Sequence, residues 1–101
     1  MNTIDYLYSK DRVLDFSLCK YLGEVHEVIK TELELPDWYG ANLDALWDSI
    51  TGLMYVPANI KIIFKPETKA AEKLGDEIEK IISIFIEAQE EYNQIKVTVE
   101  K

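Results

Sequence analysis

The 101-residue sequence has few cysteines, glycines and prolines, and it has no long apolar run. It has one cysteine, Cys19, which excludes an intramolecular disulfide and fits a reducing compartment. Its 4 glycines and 3 prolines fall well below the roughly 12% of average usage, which argues against a long disordered tail. No apolar run approaches the roughly 20 residues that span a bilayer. Because residues 1–6 also lack the basic start and apolar core of a signal peptide, we expect a cytoplasmic protein.

Positive charge is also scarce. The chain has 11 Lys and Arg against 19 Asp and Glu, which gives a net charge of −8 and a pI of about 4.6. Neutralising phosphates requires a basic surface, so neither a nucleic acid nor an anionic membrane is expected as a partner. A basic protein partner remains compatible with this charge.

The sequence shows no recognised catalytic or metal-binding motif. Its single histidine, His26, has no Cys or Ser partner in such a motif, and a lone histidine in a helix is most often a surface or core residue. Neither metal-ligand spacing nor a phosphate-binding glycine loop is present. We therefore expect no enzymatic activity, no metal and no cofactor.

The length and the 48% hydrophobic content predict a single domain over residues 1–101. Apolar periodicity and turn residues predict strands at 3–8, 12–18, 60–64 and 95–99, a turn at 9–11, helices at about 23–33, 42–51 and 76–92, and a short helical turn at 68–74. Residues 1–11 form either an N-terminal extension or an additional edge strand. This alternation predicts an α/β fold with a small parallel sheet. Because the last strand alternates apolar and polar residues, we expect one sheet face to be only partly covered.

The acidic residues are concentrated in two segments. Residues 31–60 contain five acidic residues and no basic one, and residues 76–91 contain six acidic residues and one lysine, so each segment carries −5. The rest of the chain therefore carries +2. If the two segments are neighbours in space, they form one negative field that can steer a basic protein.

In the predicted 42–51 helix, Asn42 is the expected N-cap and Gly52 the expected C-terminal stop. Within this helix, Asp44 and Asp48 lie four residues apart on one side. Like charges at this spacing destabilise an isolated helix by roughly 0.2–0.5 kcal/mol. Asp44 complements the helix dipole in the first turn, whereas Asp48 lies too far along to do so. Ordinary solvation is the commoner explanation for such a pair.

Upstream, Trp38 and Tyr39 are adjacent in a Pro/Gly loop, where aromatic residues serve either as a lid over the core or as interface anchors. Together these features suggest a docking surface.

The run LPDWYGANLDALWD over residues 35–48 closely resembles the signature of the barstar family, which are small intracellular inhibitors of barnase-type secreted ribonucleases. The Thr51-Gly52 pair that follows is also similar to the family. A looser resemblance extends over about residues 12–101 and includes Phe85, Glu87, Ala88 and Glu91 in the last long helix. The resemblance implies a barstar-like fold, in which a small three-stranded parallel sheet packs against helices.

The resemblance also implies an inhibitor that blocks the active site of a basic, secreted ribonuclease in a 1:1 complex. Asp48 matches the family's central acid, which meets the arginines and histidine that hold the substrate phosphate. Asp44 matches a second acid at the edge of that site, Trp38 and Tyr39 match the family's aromatic pair, and Glu87 matches an acid contributed from the side. The remaining matched positions, which shape or flank the docking surface, are Gly40, Asn42, Leu43 and Trp47.

Some positions depart from the family's prototype. Leu53-Met54-Tyr55 replaces Trp-Val-Glu, so one acidic contact is absent at Tyr55, and Ser49 replaces a cysteine. An alternative function is therefore an acidic immunity or adaptor protein on the same fold that binds a different basic toxin or protein. An enzyme that uses Asp44 and Asp48 as paired carboxylates is the weakest hypothesis, because no recognised motif accompanies them.

Overall fold

The computed structural model describes residues 10–37, 39–51, 58–93 and 95–101. These residues form three strands and four helices, in the order β1 (Lys10–Asp15), α1 (Leu22–Glu32), α2 (Leu43–Thr51), β2 (Ala58–Ile63), α3 (Lys69–Lys73), α4 (Gly75–Glu91) and β3 (Ile95–Glu100). No helix among them is long and apolar enough to cross a membrane.

The strands form the predicted three-stranded parallel sheet, in the order β1-β2-β3. Arg12 of β1 lies opposite Ile60 of β2, which in turn lies opposite Val97 of β3. Among the described strands, the two outer ones are therefore β1 and β3. On β3, the backbone N–H of Val97 donates a hydrogen bond of 2.6 Å to the side chain of Gln89 on α4.

One face of the sheet is buried and the other is exposed. Leu14, Ile60 and Ile62 point into the core, whereas Val13 and Lys61 are exposed on the opposite face, which confirms the expected partial coverage. The helices supply the other half of the core from residues at helical spacing, which are Val25, Ile29, Leu46, Ile50, Ile78, Ile81, Ile82, Phe85 and Ala88.

The predicted boundaries of the first strand are wrong. Lys10 and Asp11 were expected in a turn but lie in β1, and a hydrogen bond of 2.9 Å from Asn59 to the Asp11 carboxylate extends the pairing of β1 with β2. The strand ends at Asp15 instead of residue 18, because the Asp15 carboxylate accepts a hydrogen bond of 3.0 Å from the backbone N–H of Ser17 and starts a turn. The predicted strand at 3–8 lies outside the described residues.

The remaining elements lie within one or two residues of their predicted ends. The short helical turn is α3, where the Thr68 side chain caps the helix by accepting a 3.0 Å hydrogen bond from the N–H of Ala71. Leu74 then links α3 directly to α4. Gly52, the predicted stop after α2, lies outside the described residues.

Candidate protein-binding surface

Helix α2 begins at a side-chain cap. The Asn42 side-chain oxygen accepts a hydrogen bond of 2.8 Å from the N–H of Ala45, as its position predicted. Its side-chain N–H donates to the Gly40 carbonyl oxygen at 3.3 Å. Ala41, between them, has a φ of 52°, in the left-handed region. A Cβ on Gly40 would lie 3.2 Å from the Ala45 Cβ, so glycine provides the space for the loop to turn tightly into α2.

The exposed side of α2 carries two carboxylates. Asp44 and Asp48 are both exposed, while Leu46 and Ile50 on the opposite side are buried. Within the described part of the chain, neither aspartate has an ion-pair partner. Asp44 lies in the first turn, and the last turn, which contains Asp48, has no basic residue. Helix α2 therefore presents two uncompensated negative charges to solvent.

Apolar residues flank these charges. Leu43 is 36% exposed although its spacing places it on the apolar stripe, and Trp47 is half-buried against the core. Leu43 is the first residue of α2, and the apolar stripe extends beyond the core at this end of the helix. The aspartates thus lie beside partly accessible apolar side chains, a combination common in protein interfaces.

Tyr39 joins the loop to the core. It is half-buried, and its hydroxyl lies 2.8 Å from Nδ1 of His26 on α1, with the two ring centroids 5.7 Å apart. Burial raises the pKa of Tyr39 to about 12, so the hydroxyl keeps its proton at neutral pH. Burial also lowers the pKa of His26. Tyr39 thus acts in part as a lid over the core. The other aromatic residue, Trp38, lies outside the described residues.

Polar contacts fix the start of the loop to α1 and β1. Lys30 of α1 pairs with Asp37 at 3.4 Å. Arg12 on β1 is 9% exposed, donates a hydrogen bond of 3.0 Å to the carbonyl oxygen of Glu32 at the end of α1, and lies 3.5 Å from the Glu34 carboxylate. Its guanidinium thus supplies a cation at a helix C-terminus, where the helix dipole favours one.

His26 and Arg12 were not predicted to support this surface. His26 lies next to the buried residues Val25 and Ile29, so helical periodicity is consistent with its burial. Arg12 alternates in phase with buried Leu14, which places it on the core face of β1. These local patterns signal burial, but they do not identify the partners, which lie 13 or more residues away along the chain.

Packing of α2 against α4 brings elements of the two acidic segments into contact, as the steering hypothesis required. Glu87 on α4 is exposed. Glu77 pairs with Lys80 at 3.5 Å, and Glu79 pairs with Lys101. The α4 acids that have no ion pair among the described residues are Asp76, Glu87, Glu90 and Glu91.

This surface consists of exposed and half-buried side chains. Two grooves, of about 410 and 420 Å³, lie elsewhere on the described surface, and no residue of the predicted site lines either one. The described residues contain no group of three or more potential metal ligands. Tyr55, which replaces an acidic contact residue of the family's prototype, lies outside the described residues. The arrangement therefore fits contact with a macromolecule better than binding of a small ligand.

Comparison with known proteins identifies the family. The family model described as Barstar (barnase inhibitor) matches residues 10–100. A protein of Bacillus subtilis (strain 168) named "Putative ribonuclease inhibitor YrdF" is 35% identical over 77 residues, which cover 75% of this chain and 82% of that protein. Because the family match takes in every strand and helix described above, the chain belongs to the Barstar family.

Proposed function

We propose that this protein inhibits a basic, secreted ribonuclease of the barnase type by occupying its active site in a 1:1 complex. The observation that carries the proposal is the exposed pair Asp44 and Asp48 on one side of a capped helix, with no ion-pair partner among the described residues. Membership of the Barstar family and similarity to the Bacillus subtilis protein named as a putative ribonuclease inhibitor support it.

The chemistry follows from what such an enzyme binds. A ribonuclease active site gathers Arg, Lys and His around a phosphodiester, and carboxylates held at the right spacing imitate that anion. Hydrogen bonds between arginine and a carboxylate are charge-assisted and therefore strong. Because Asp44 and Asp48 sit on a folded helix, little conformational entropy is lost when they are placed in the site.

The remaining site residues complete the surface. Leu43 and Trp47 contribute apolar contact beside the carboxylates, and Tyr39 and Gly40 form the adjoining loop. Glu87 adds negative charge from α4. An inhibitor of this kind acts in the cytoplasm, where it protects the RNA of the cell that makes the enzyme. Fast capture matters there, and the acidic surface accelerates encounter with a basic partner.

The test mixes the purified protein with a barnase-type ribonuclease and follows cleavage of a fluorescent RNA. We expect activity to fall in proportion to added inhibitor until one equivalent is present. Undiminished cleavage at tenfold molar excess would exclude that ribonuclease as a target. Stoichiometric inhibition by the wild-type protein is the reference for the variants.

Asp48→Ala should weaken binding by about 100-fold or more, because it leaves a buried arginine of the partner without its counter-charge. Losses of this order are known for central acids in inhibitor–nuclease complexes of this family, so the magnitude is an expectation from the family. Glu91→Ala, which removes an exposed acid from α4, is the matched control and should change affinity by less than about fivefold. Equal effects of the two substitutions would contradict the central position of Asp48.

A further inference from the structure

His26 lies at the junction between the core and the candidate binding loop. Its side chain is 5% exposed, and the hydroxyl of Tyr39 is its hydrogen-bond partner among the described residues, 2.8 Å from Nδ1. Tyr39 is followed by Gly40, Ala41 and the Asn42 cap of α2, so this contact lies three residues before the cap of the helix that carries Asp44 and Asp48. A change at His26 therefore acts directly on the start of the proposed binding surface.

The direction of this hydrogen bond follows from the two groups. A phenol hydroxyl is the better donor and a neutral imidazole nitrogen is the better acceptor, so the favoured arrangement has Tyr39 donating to Nδ1 of neutral His26. Protonation of Nδ1 removes that acceptor and places a positive charge in a buried position. Either event disfavours the arrangement in which Tyr39 packs against α1.

We propose that His26 is a positioning residue of the binding surface: while neutral, it accepts a hydrogen bond from Tyr39 and holds residues 39–42 in the binding conformation, and its protonation releases them. The inference rests on the proposed function, because the effect is on affinity for the ribonuclease. The affinity of this inhibitor should therefore fall on acidification. Burial, which lowers the pKa of His26, sets the direction: the neutral form is the one suited to this site.

The charged groups on the elements around His26 are not expected to change charge in the pH range in which histidine ordinarily titrates. They are Glu24, Glu27, Lys30 and Glu32 on α1, Asp11, Arg12 and Asp15 on β1, Glu34 and Asp37 in the loop, and Asp44 and Asp48 on α2. The two cations nearest the loop are compensated, since Lys30 pairs with Asp37 and Arg12 with Glu34. Carboxylates ordinarily titrate near pH 4, so histidine is the side chain in this set whose ordinary pKa lies nearest to neutral pH.

The first experiment measures the dissociation constant for one barnase-type ribonuclease from pH 7.5 to 5.5, for wild type and for His26→Gln. The substituted glutamine side chain retains a hydrogen-bond acceptor but does not titrate. The ratio of the two constants cancels every titration within the ribonuclease. We expect wild type to lose affinity relative to His26→Gln by at least about threefold as the pH falls through the titration of His26. Circular dichroism at each pH checks that both proteins remain folded.

Tyr39→Phe removes the donor, so its affinity relative to His26→Gln should depend on pH less than that of wild type, with only the cost of the buried charge remaining. Tyr21→Phe, at an exposed tyrosine, is the matched control and should retain the wild-type pH profile. A flat ratio for wild type over His26→Gln, with inhibition intact, would overturn the positioning role and leave the proposed function standing. Absence of inhibition by wild type at pH 7.5 would instead overturn the function.

The second experiment does not depend on a variant that folds. The chain has one histidine, so the imidazole signals of isotope-labelled protein report His26 alone. If binding requires neutral His26, the apparent pKa of His26 falls further when unlabelled ribonuclease is bound, by linkage. An unchanged or raised pKa in the complex would contradict the proposal.

Discussion

At the scale of single residues, Asp44 and Asp48 have the same chemistry but opposite relations to their helix. Asp44 lies in the first turn of α2, where the dipole favours a negative charge, and Asp48 lies in the last turn, where the dipole opposes one. The two side chains also repel each other across one turn. Asp48 thus destabilises the free protein, and a role in binding would explain why it lies there.

Asp48→Asn should therefore stabilise the folded protein by about 0.5–1 kcal/mol, because it removes both unfavourable interactions. Asp44→Asn is the matched control: it removes the same repulsion but also the favourable dipole interaction, so its net effect should be near zero or destabilising. Urea unfolding of both variants measures the difference. If Asp48→Asn is no more stable than Asp44→Asn, the dipole argument is wrong.

His26 gives a pH dependence to stability itself. Burial lowers its folded-state pKa below the ordinary 6.5, so the unfolded chain binds more protons in this range. The contribution of neutral His26 is fully present above pH 6.5 and is lost as pH falls through the folded-state pKa. We expect the urea midpoint of wild type to fall between pH 7.5 and 5.5. The midpoint of His26→Gln should change less, and equal slopes would exclude His26 as the cause.

At the scale of elements, the proposed binding surface depends on how the loop enters α2. The Asn42 cap, the left-handed Ala41 and the close approach at Gly40 together fix the first turn of that helix. The geometry of this first turn therefore sets the positions of the Asp44 and Asp48 carboxylates. The cap is therefore expected to affect affinity as well as stability.

Asn42→Ala should destabilise the protein by about 1 kcal/mol, because the N–H of Ala45 loses its partner. Affinity for the ribonuclease should fall as well, since the helix that presents the acids frays at its start. Asn59→Ala on the exposed sheet face also loses a side-chain hydrogen bond, to Asp11, and serves as the control. It should leave affinity unchanged, and a similar loss of affinity for both variants would argue against a specific role of the cap.

At the scale of the whole molecule, helix packing determines where the net charge of −8 is concentrated. Contact between α2 and α4 joins elements of the two acidic segments, and four acids of α4 have no ion pair among the described residues. A field of this kind increases the association rate more than it slows dissociation. Screening by salt should therefore act mainly on association.

We expect the association rate constant with a basic ribonuclease to fall at least about tenfold between roughly 50 and 500 mM salt. The double substitution Glu90→Gln/Glu91→Gln on α4 should lower the rate constant and weaken its salt dependence. Glu67→Gln/Glu72→Gln removes the same two charges outside the acidic segments and should do so less. Stopped-flow fluorescence measures both. Indistinguishable effects would mean that total charge matters and its placement does not.

The sequence predicts elements well where a local period carries the information. The stripe Ile78, Ile81, Ile82, Phe85 and Ala88 is buried as its spacing indicates, and Asn42 caps α2 as expected. The end of β1 is set by a local turn at Asp15, but the other failures involve partners far away in the chain. The start of β1 depends on pairing with β2, which lies 48 residues further along the chain. Arg12 donates a hydrogen bond to the carbonyl oxygen of Glu32, which is 20 residues away. Local periodicity contains no information about such partners, so the supports of the binding surface became visible only in three dimensions.

The hydrogen bond between Gln89 and the Val97 N–H has a consequence for the outer strand β3. A parallel sheet with open outer strands invites further strands to add, which leads to polymerisation. Gln89 occupies one of the backbone donors at the middle of β3, so an incoming strand must first displace it. A side chain of α4 thus helps to protect this strand from pairing with a strand of another molecule.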